Sequence, residues 1–314
     1  MAFKILVTSQ KGGVGKSTLS ANLVAYLSRS MNLGVTLIDW DPHGSSSNWL
    51  KQAPDVGAVI KHLALPVDQG GNRPIFEARL QMRRAASECD ILVCDLTWSD
   101  SLAGELMFEF DMVLVPTSVS EIELAATSGF LNRNRWVFDS ASERRPMLVV
   151  CPTRVLNEQL SSDVFTRQRF PVSFMLAPPV LESQTARDMF QRGYLMDARN
   201  DCGQSFLEFA RAVCEVRDIH NREAALRTTR APAVPVLGRR NNPMPGAATA
   251  VMPSNGAGLL AQASANTGLT DFGPGDFREG LDALLKSVAD DAEFAPSVDE
   301  SVVAIFLRRL ENRL

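Results

Sequence analysis

Gln10-Lys11-Gly12-Gly13-Val14-Gly15-Lys16-Ser17-Thr18 follows an apolar run, Phe3 to Val7. A strand running into a glycine-rich turn that ends in Gly-Lys-Ser reads as a phosphate-binding loop. Successive backbone N–H groups converge on phosphates, Lys16 reaches the outer phosphates, and the Ser17 hydroxyl sits on Mg²⁺. A helix starting near Ser17 adds its positive end to the cradle. The candidate nucleotide-binding residues are therefore Lys11, Gly12, Gly13, Val14, Gly15, Lys16, Ser17 and Thr18. Against the usual Gly-x4-Gly-Lys-Ser/Thr spacing, Gln10 stands where the first glycine is expected, while Gly15, Lys16 and Ser17 are in register. The loop also carries a second lysine, Lys11, five residues before Lys16. The bland alternative is a glycine-rich turn that binds nothing. A dinucleotide loop fits less well, because Thr18 stands where that motif wants Gly or Ala.

The chain has 314 residues, 45% of them hydrophobic and 22% charged, enough for one large α/β domain with a packed core and an extension. A net charge of −4 gives no overall push toward nucleic acid, so DNA binding needs a local patch. Cys89, Cys94, Cys151, Cys202 and Cys214 form no Cys-x-x-Cys pair and no metal spacing, and read as scattered buried thiols in a reducing cytoplasm. Phe3 to Val7 is too short for a signal stretch, and no apolar run approaches the ~20 residues of a membrane span. A cytoplasmic protein is expected.

Short apolar runs alternate with helical patterns as far as Arg227. Phe3–Val7, Val35–Ile38, Ile91–Cys94, Met112–Val115 and Met147–Cys151 read as strands buried on both faces of a sheet. Ser17–Arg29, Phe76–Ala86, Ile122–Asp139 and Leu156–Arg169 read as helices, and Phe206–Ala225 as a further helix with one buried face. The alternation predicts an α/β fold, a doubly wound, mostly parallel sheet with helices on both faces, spanning 1–227. Residues 228–276, dense in Pro, Gly and Ala, predict a flexible linker; 277–314 predict two short amphipathic helices as an interaction tail.

Asp39-Trp40-Asp41-Pro42-His43-Gly44 follows the second strand. A carboxylate pair at a strand's carboxyl end belongs beside the phosphates, where Asp41 orients the attacking water or holds a water on Mg²⁺. The alternative is a turn with an Asp cap. Asp95, at the end of Ile91–Cys94, is a further candidate Mg²⁺ carboxylate, or else a cap or solvated loop residue. The metal candidates are thus Ser17, Asp41 and Asp95.

The loop with its extra lysine resembles the deviant Walker A ATPases, the ParA/MinD family of partition and positioning proteins. The resemblance covers about residues 1–222. It implies a phosphate-loop NTPase fold, ATP and Mg²⁺ as cofactors, and catalytic roles for Lys11, Lys16 and Asp41. Lys11 would reach across a homodimer to the phosphates of the other subunit. The Asp41 stretch resembles the family's Asp-x-Asp-Pro-Gln-Gly switch, with His43 in place of Gln. Asp95-Leu96-Thr97-Trp98 lacks the prolines of the family's Asp-x-Pro-Pro, and Trp98 is either a docking residue or core. Pro152-Thr153 and Pro178 lie where relatives surround the adenine ring.

Relatives of the ParA kind bind DNA non-specifically as ATP dimers, and Arg187, Arg192, Arg199, Arg211, Arg217 and Arg222 fall where such proteins carry basic residues. The alternative is an arginine-laced solvated surface paired with Glu208, Glu215, Asp218 and Glu223. The leading expectation is a dimerising ATPase switch that positions a plasmid, chromosome region or protein complex, is nucleoid-associated with ATP, and is released when an adaptor or centromere-binding protein stimulates slow hydrolysis. The other readings are a membrane-cycling ATPase of the MinD kind, using residues 300–314, and a nucleotide-binding scaffold with negligible turnover. Iron–sulfur carriers need paired cysteines and the related tyrosine kinases a tyrosine-rich tail; the only tyrosines are Tyr26 and Tyr194.

Overall fold

In a parallel sheet covered on both faces, every strand position meets a helix or a neighbouring strand, so strands carry apolar residues throughout. The computed structural model describes residues 2–66, 72–98, 104–142, 144–160 and 170–230, with side chains described through Arg222. Its strands are β1 (Phe3–Ser9), β2 (Val35–Asp39), β3 (Val59–His62), β4 (Ile91–Thr97), β5 (Met112–Thr117), β6 (Met147–Val155), β7 (Met175–Leu176) and β8 (Val180–Leu181). They pair in parallel in the order β3-β2-β4-β1-β5-β6-β7, with β8 beside β6. The helices are α1 (Lys16–Ala25), α2 (Ser45–Gln52), α3 (Arg73–Ala86), α4 (Glu121–Arg133), α5 (Arg135–Phe138), α6 (Gln184–Asp188) and α7 (Asp201–Arg230).

The pleat sorts the core into two layers. Ile5, Val7, Leu37, Val93, Leu114 and Val149 face one way, onto residues of α1, α2 and α7. Leu6, Ile38, Leu92, Cys94, Val113 and Val150 face the other way, onto residues of α3, α4 and α5. The expected doubly wound sheet with helices on both faces is therefore the observed one, and among the described strands the pairing is parallel throughout.

Each expected strand forms, and four of the five run on by two or more residues. β4 continues through Asp95 to Thr97, so Asp95 lies inside the sheet rather than at its end. The helices depart more. α1 gives way after Ala25 to a π turn, Tyr26–Ser30. The helix expected over Ile122–Asp139 breaks at Asn134, whose side-chain amide donates to the Phe130 carbonyl at 2.9 Å. Of Leu156–Arg169, a 3₁₀ turn covers Asn157–Gln159, and 161–169 lie outside the described residues. α2 and β3 had no counterpart in the expectations: α2 opens on three serines, and β3 is a half-exposed edge strand. α7 runs to Arg230, past the point where a linker was expected, because Glu223-Ala224-Ala225-Leu226-Arg227 are strong helix formers and Pro232 comes only later. The rest of that linker and the tail expected over 277–314 lie outside the described residues.

α7 is held to the sheet by Phe206 and Phe209, both fully buried. Phe206→Ala removes a large ring without room for collapse and is expected to cost about 3–5 kcal/mol in urea unfolding. A loss under about 1 kcal/mol would show that α7 does not close this layer.

Candidate functional site

Three features converge at the carboxyl end of the central strands. The glycine loop leaves β1 and turns into α1 with Gly15 at φ 85, a left-handed backbone that a side chain strains. No side chain caps this helix, so its first amides are available at the positive end of the helix. Beneath the loop lies Thr153 of β6, whose hydroxyl donates to the Val14 carbonyl at 2.6 Å and lies 3.2 Å from the Thr117 carbonyl. Thr153, expected near an adenine ring, thus braces the phosphate loop from below. Pro152 is buried in β6 and Pro178 is half-buried before β8.

Lys16 is the centre of the charge network. Its Nζ lies 2.6 Å from Asp95 Oδ1, 3.5 Å from Asp41 Oδ2 and 3.5 Å from the Ser17 hydroxyl. Lys16 and Asp95 are both buried. Register explains the meeting: Asp39 pairs with Asp95 across β2 and β4, and Val7 pairs with Asp95 across β1 and β4. Burial pushes the Asp95 carboxyl above its usual range; Lys16 pulls it down, and the charge of Asp39 adds to the rise. Asp39, which the sequence reading gave no separate role, is bound by the Ser46 hydroxyl at 2.8 Å and the Ser47 amide at 2.9 Å. Asp41 is different. Burial raises its carboxyl, but hydrogen bonds from Thr97 and the His43 amide, together with Lys16, hold it below the usual range.

Asp95 Oδ2 is buried and has no hydrogen-bond partner. An orphaned buried acceptor of this kind, on a carboxylate that shares the Lys16 ammonium with Asp41 and Ser17, suits a magnesium ion, which Ser17, Asp41 and Asp95 would hold. Among the described residues no three His, Cys, Asp or Glu side chains are grouped to hold a metal ion.

Lys11 and His43 are exposed, and the Lys11 carbonyl accepts from Ser9 at 2.9 Å. Gln10, in the place of the first glycine, accepts from Arg133 at the end of α4. Trp98 is buried edge-on against Phe130 at 5.9 Å, so of its two readings, docking residue or core, the structure takes core.

Three contacts of two arginines are not legible in the sequence. Arg154, left-handed at φ 56, donates to the Gly13 carbonyl at 2.8 Å and to Glu182 at 2.9 Å. Arg187 binds the other oxygen of Glu182 at 2.7 Å. Burial raises Glu182, but the two arginines outweigh it and hold the carboxyl below its usual range. An arginine two residues past a strand's Pro is a faint signal, and its partner is set only by the fold. Of the other arginines, Arg217 pairs with Asp218 and has a side chain only 13% exposed, and Arg222 donates to the Asp218 carbonyl. Arg192, Arg199 and Arg211 are exposed. All five cysteines are unpaired; burial pushes Cys202 and Cys214 up to about 11. No described helix is long and apolar enough to cross a membrane.

A family model described as the CobQ/CobB/MinD/ParA nucleotide binding domain matches residues 5–293. The maintenance of carboxysome distribution protein A of Halothiobacillus neapolitanus is 26% identical over 196 residues, 62% of this chain and 85% of that protein. Among solved structures, apo McdA of Cyanothece aligns at a TM-score of 0.53 and 16% identity, over 68% of this chain and 100% of that one. A putative plasmid partition protein of Borrelia burgdorferi B31, bound to AMPPNP, aligns at 0.53 and 16%, over 67% and 97%. At these identities the structural likeness is one of fold.

Burial separates the two lysines. Lys16→Ala strands the Asp95 carboxylate and is expected to lower the stability of the nucleotide-free protein by about 3 kcal/mol in urea unfolding. Lys11→Ala is expected to stay within about 0.5 kcal/mol of wild type. Equal losses in the two variants would mean that Lys16 is not paired as described.

Proposed function

The chain belongs to the CobQ/CobB/MinD/ParA nucleotide-binding family, and we propose that it is a dimerising ATPase switch that positions an intracellular cargo. The observation that carries this reading is Lys16: a buried ammonium at the start of α1, above a left-handed Gly15, between the carboxylates of Asp95 and Asp41. Such a group is poised to exchange its carboxylates for the outer phosphates of ATP. The loop amides and the positive end of α1 hold the phosphates, Ser17, Asp41 and Asp95 would hold Mg²⁺, and Asp41 orients the attacking water. Bound with the nucleotide, Mg²⁺ supplies charge neutralisation of the phosphates. Lys11, exposed at the loop's entrance, acts on the phosphates of a second subunit, which makes the homodimer the hydrolytic form.

The relatives named for carboxysome distribution and plasmid partition support a cargo that is a protein complex or a plasmid. Non-specific DNA is the track: Arg187, Arg192, Arg211, Arg217 and Arg222 neutralise backbone phosphates in the ATP dimer, all but Arg217 exposed. A partner protein that stimulates hydrolysis ends each cycle.

ATP turnover, dimerisation and DNA retention test this together. Wild type is expected to dimerise and retain DNA only with ATP. Lys16→Ala loses nucleotide binding and turnover, whereas Lys11→Ala keeps most nucleotide binding and loses most hydrolysis. Arg192→Glu with Arg211→Glu lowers DNA retention at least tenfold and flattens its salt dependence. Retention that is equal with and without ATP sinks the switch; ATP-dependent binding to liposomes instead of DNA sinks the DNA track.

A further inference from the structure

The loop that carries Asp41 leaves β2, and β2 lies between β3 and β4 in the sheet. Register brings one polar side chain from each neighbour onto that loop. Asp39 pairs with Asp95, and two residues further on, the Thr97 hydroxyl at the end of β4 donates to Asp41 Oδ2 in the loop at 2.5 Å. On the other side Asp39 pairs with His62, and the Nε2 of His62 donates to the Asp41 carbonyl at 2.9 Å. The His62 ring also covers Gly44. A Cβ on Gly44 would stand 2.7 Å from that ring, and Gly44 has φ 61, so the loop turns where only glycine lets the imidazole close over it. Within the loop the His43 amide donates to Asp41 Oδ1 at 3.0 Å and the Gly44 amide to the Asp41 carbonyl at 3.0 Å.

We propose that Thr97 and His62 are positioning residues that clasp the Asp41–Gly44 loop from both flanking strands and fix the Asp41 carboxylate against the phosphate loop. Neither touches the reacting atoms; each acts through Asp41. Thr97 supplies a hydroxyl at the end of β4, so on that side the hold on Asp41 is a single side-chain bond. The inference rests on the proposed role of Asp41 in hydrolysis, and its test separates the two.

Amide hydrogen exchange at His43 and Gly44 in the nucleotide-free protein reads the clasp directly, and steady-state ATP turnover reads its consequence. Thr97→Val and His62→Ala are each expected to speed exchange at these amides about tenfold. Each is also expected to lower kcat about tenfold, which corresponds to about 1.4 kcal/mol, with KM for ATP within about twofold of wild type. Thr97→Ser, which restores the hydroxyl, returns both readings to near wild type. Wild-type exchange and turnover in Thr97→Val overturn the proposal, as does a Thr97→Ser protein no better than Thr97→Val. A fall in turnover carried by KM with kcat intact overturns it as well. If the wild type itself lacks turnover, the ATPase reading fails, and the exchange rates alone support or overturn the clasp.

Discussion

The ion pair between Lys16 and Asp95 is the constraint around which this site is arranged. Both groups are buried, and two charges removed from water are tolerable only if each compensates the other. Meeting that condition ties the start of α1 to the middle of β4, and so fixes the glycine loop over the carboxyl end of the sheet. It also sets the electrostatics of its surroundings. Asp95 sits high because it is buried near Asp39, whereas Asp41 sits low because hydrogen bonds favour its ionised form. Two neighbouring carboxylates are thereby given different proton affinities.

Around this pair the loop is braced by contacts distant in sequence. Thr153 supports Val14 from β6, and Arg154 holds the Gly13 carbonyl while Glu182 ties it to Arg187. The last link connects one of the arginines expected to face DNA with the backbone of the phosphate loop. Its chemistry is simple: one carboxylate shared by two guanidiniums, so a polyanion that took Arg187 would leave Glu182 to Arg154 alone.

Legibility in the sequence followed the range of the physical signal. Gly15, Lys16 and Ser17 were readable because their chemistry depends on spacing within one loop. The five central strands were readable because burial on both faces leaves their runs apolar but for Lys4 and Thr36. β3 was missed because an edge strand of four residues, none fully buried, carries no such pattern. α2 was missed because Ser45-Ser46-Ser47 reads as loop, although two of these serines are committed to Asp39. The break at Asn134 depends on one side-chain bond, which periodicity does not record. Trp98, ambiguous on paper, became core once Phe130 lay beside it.

By itself the sequence determined the phosphate loop, the second lysine, the parallel sheet and the carboxylates at its carboxyl end, because each is written in contiguous residues or in a short period. Only the tertiary structure decided which of those groups meet. That Lys16 rests on Asp95, that Thr97 and His62 grip Asp41 from opposite sides, and that Arg154 reaches Gly13 all follow from the order β3-β2-β4-β1-β5-β6. Strand order is a property of crossovers and packing, and no local stretch of the chain encodes it.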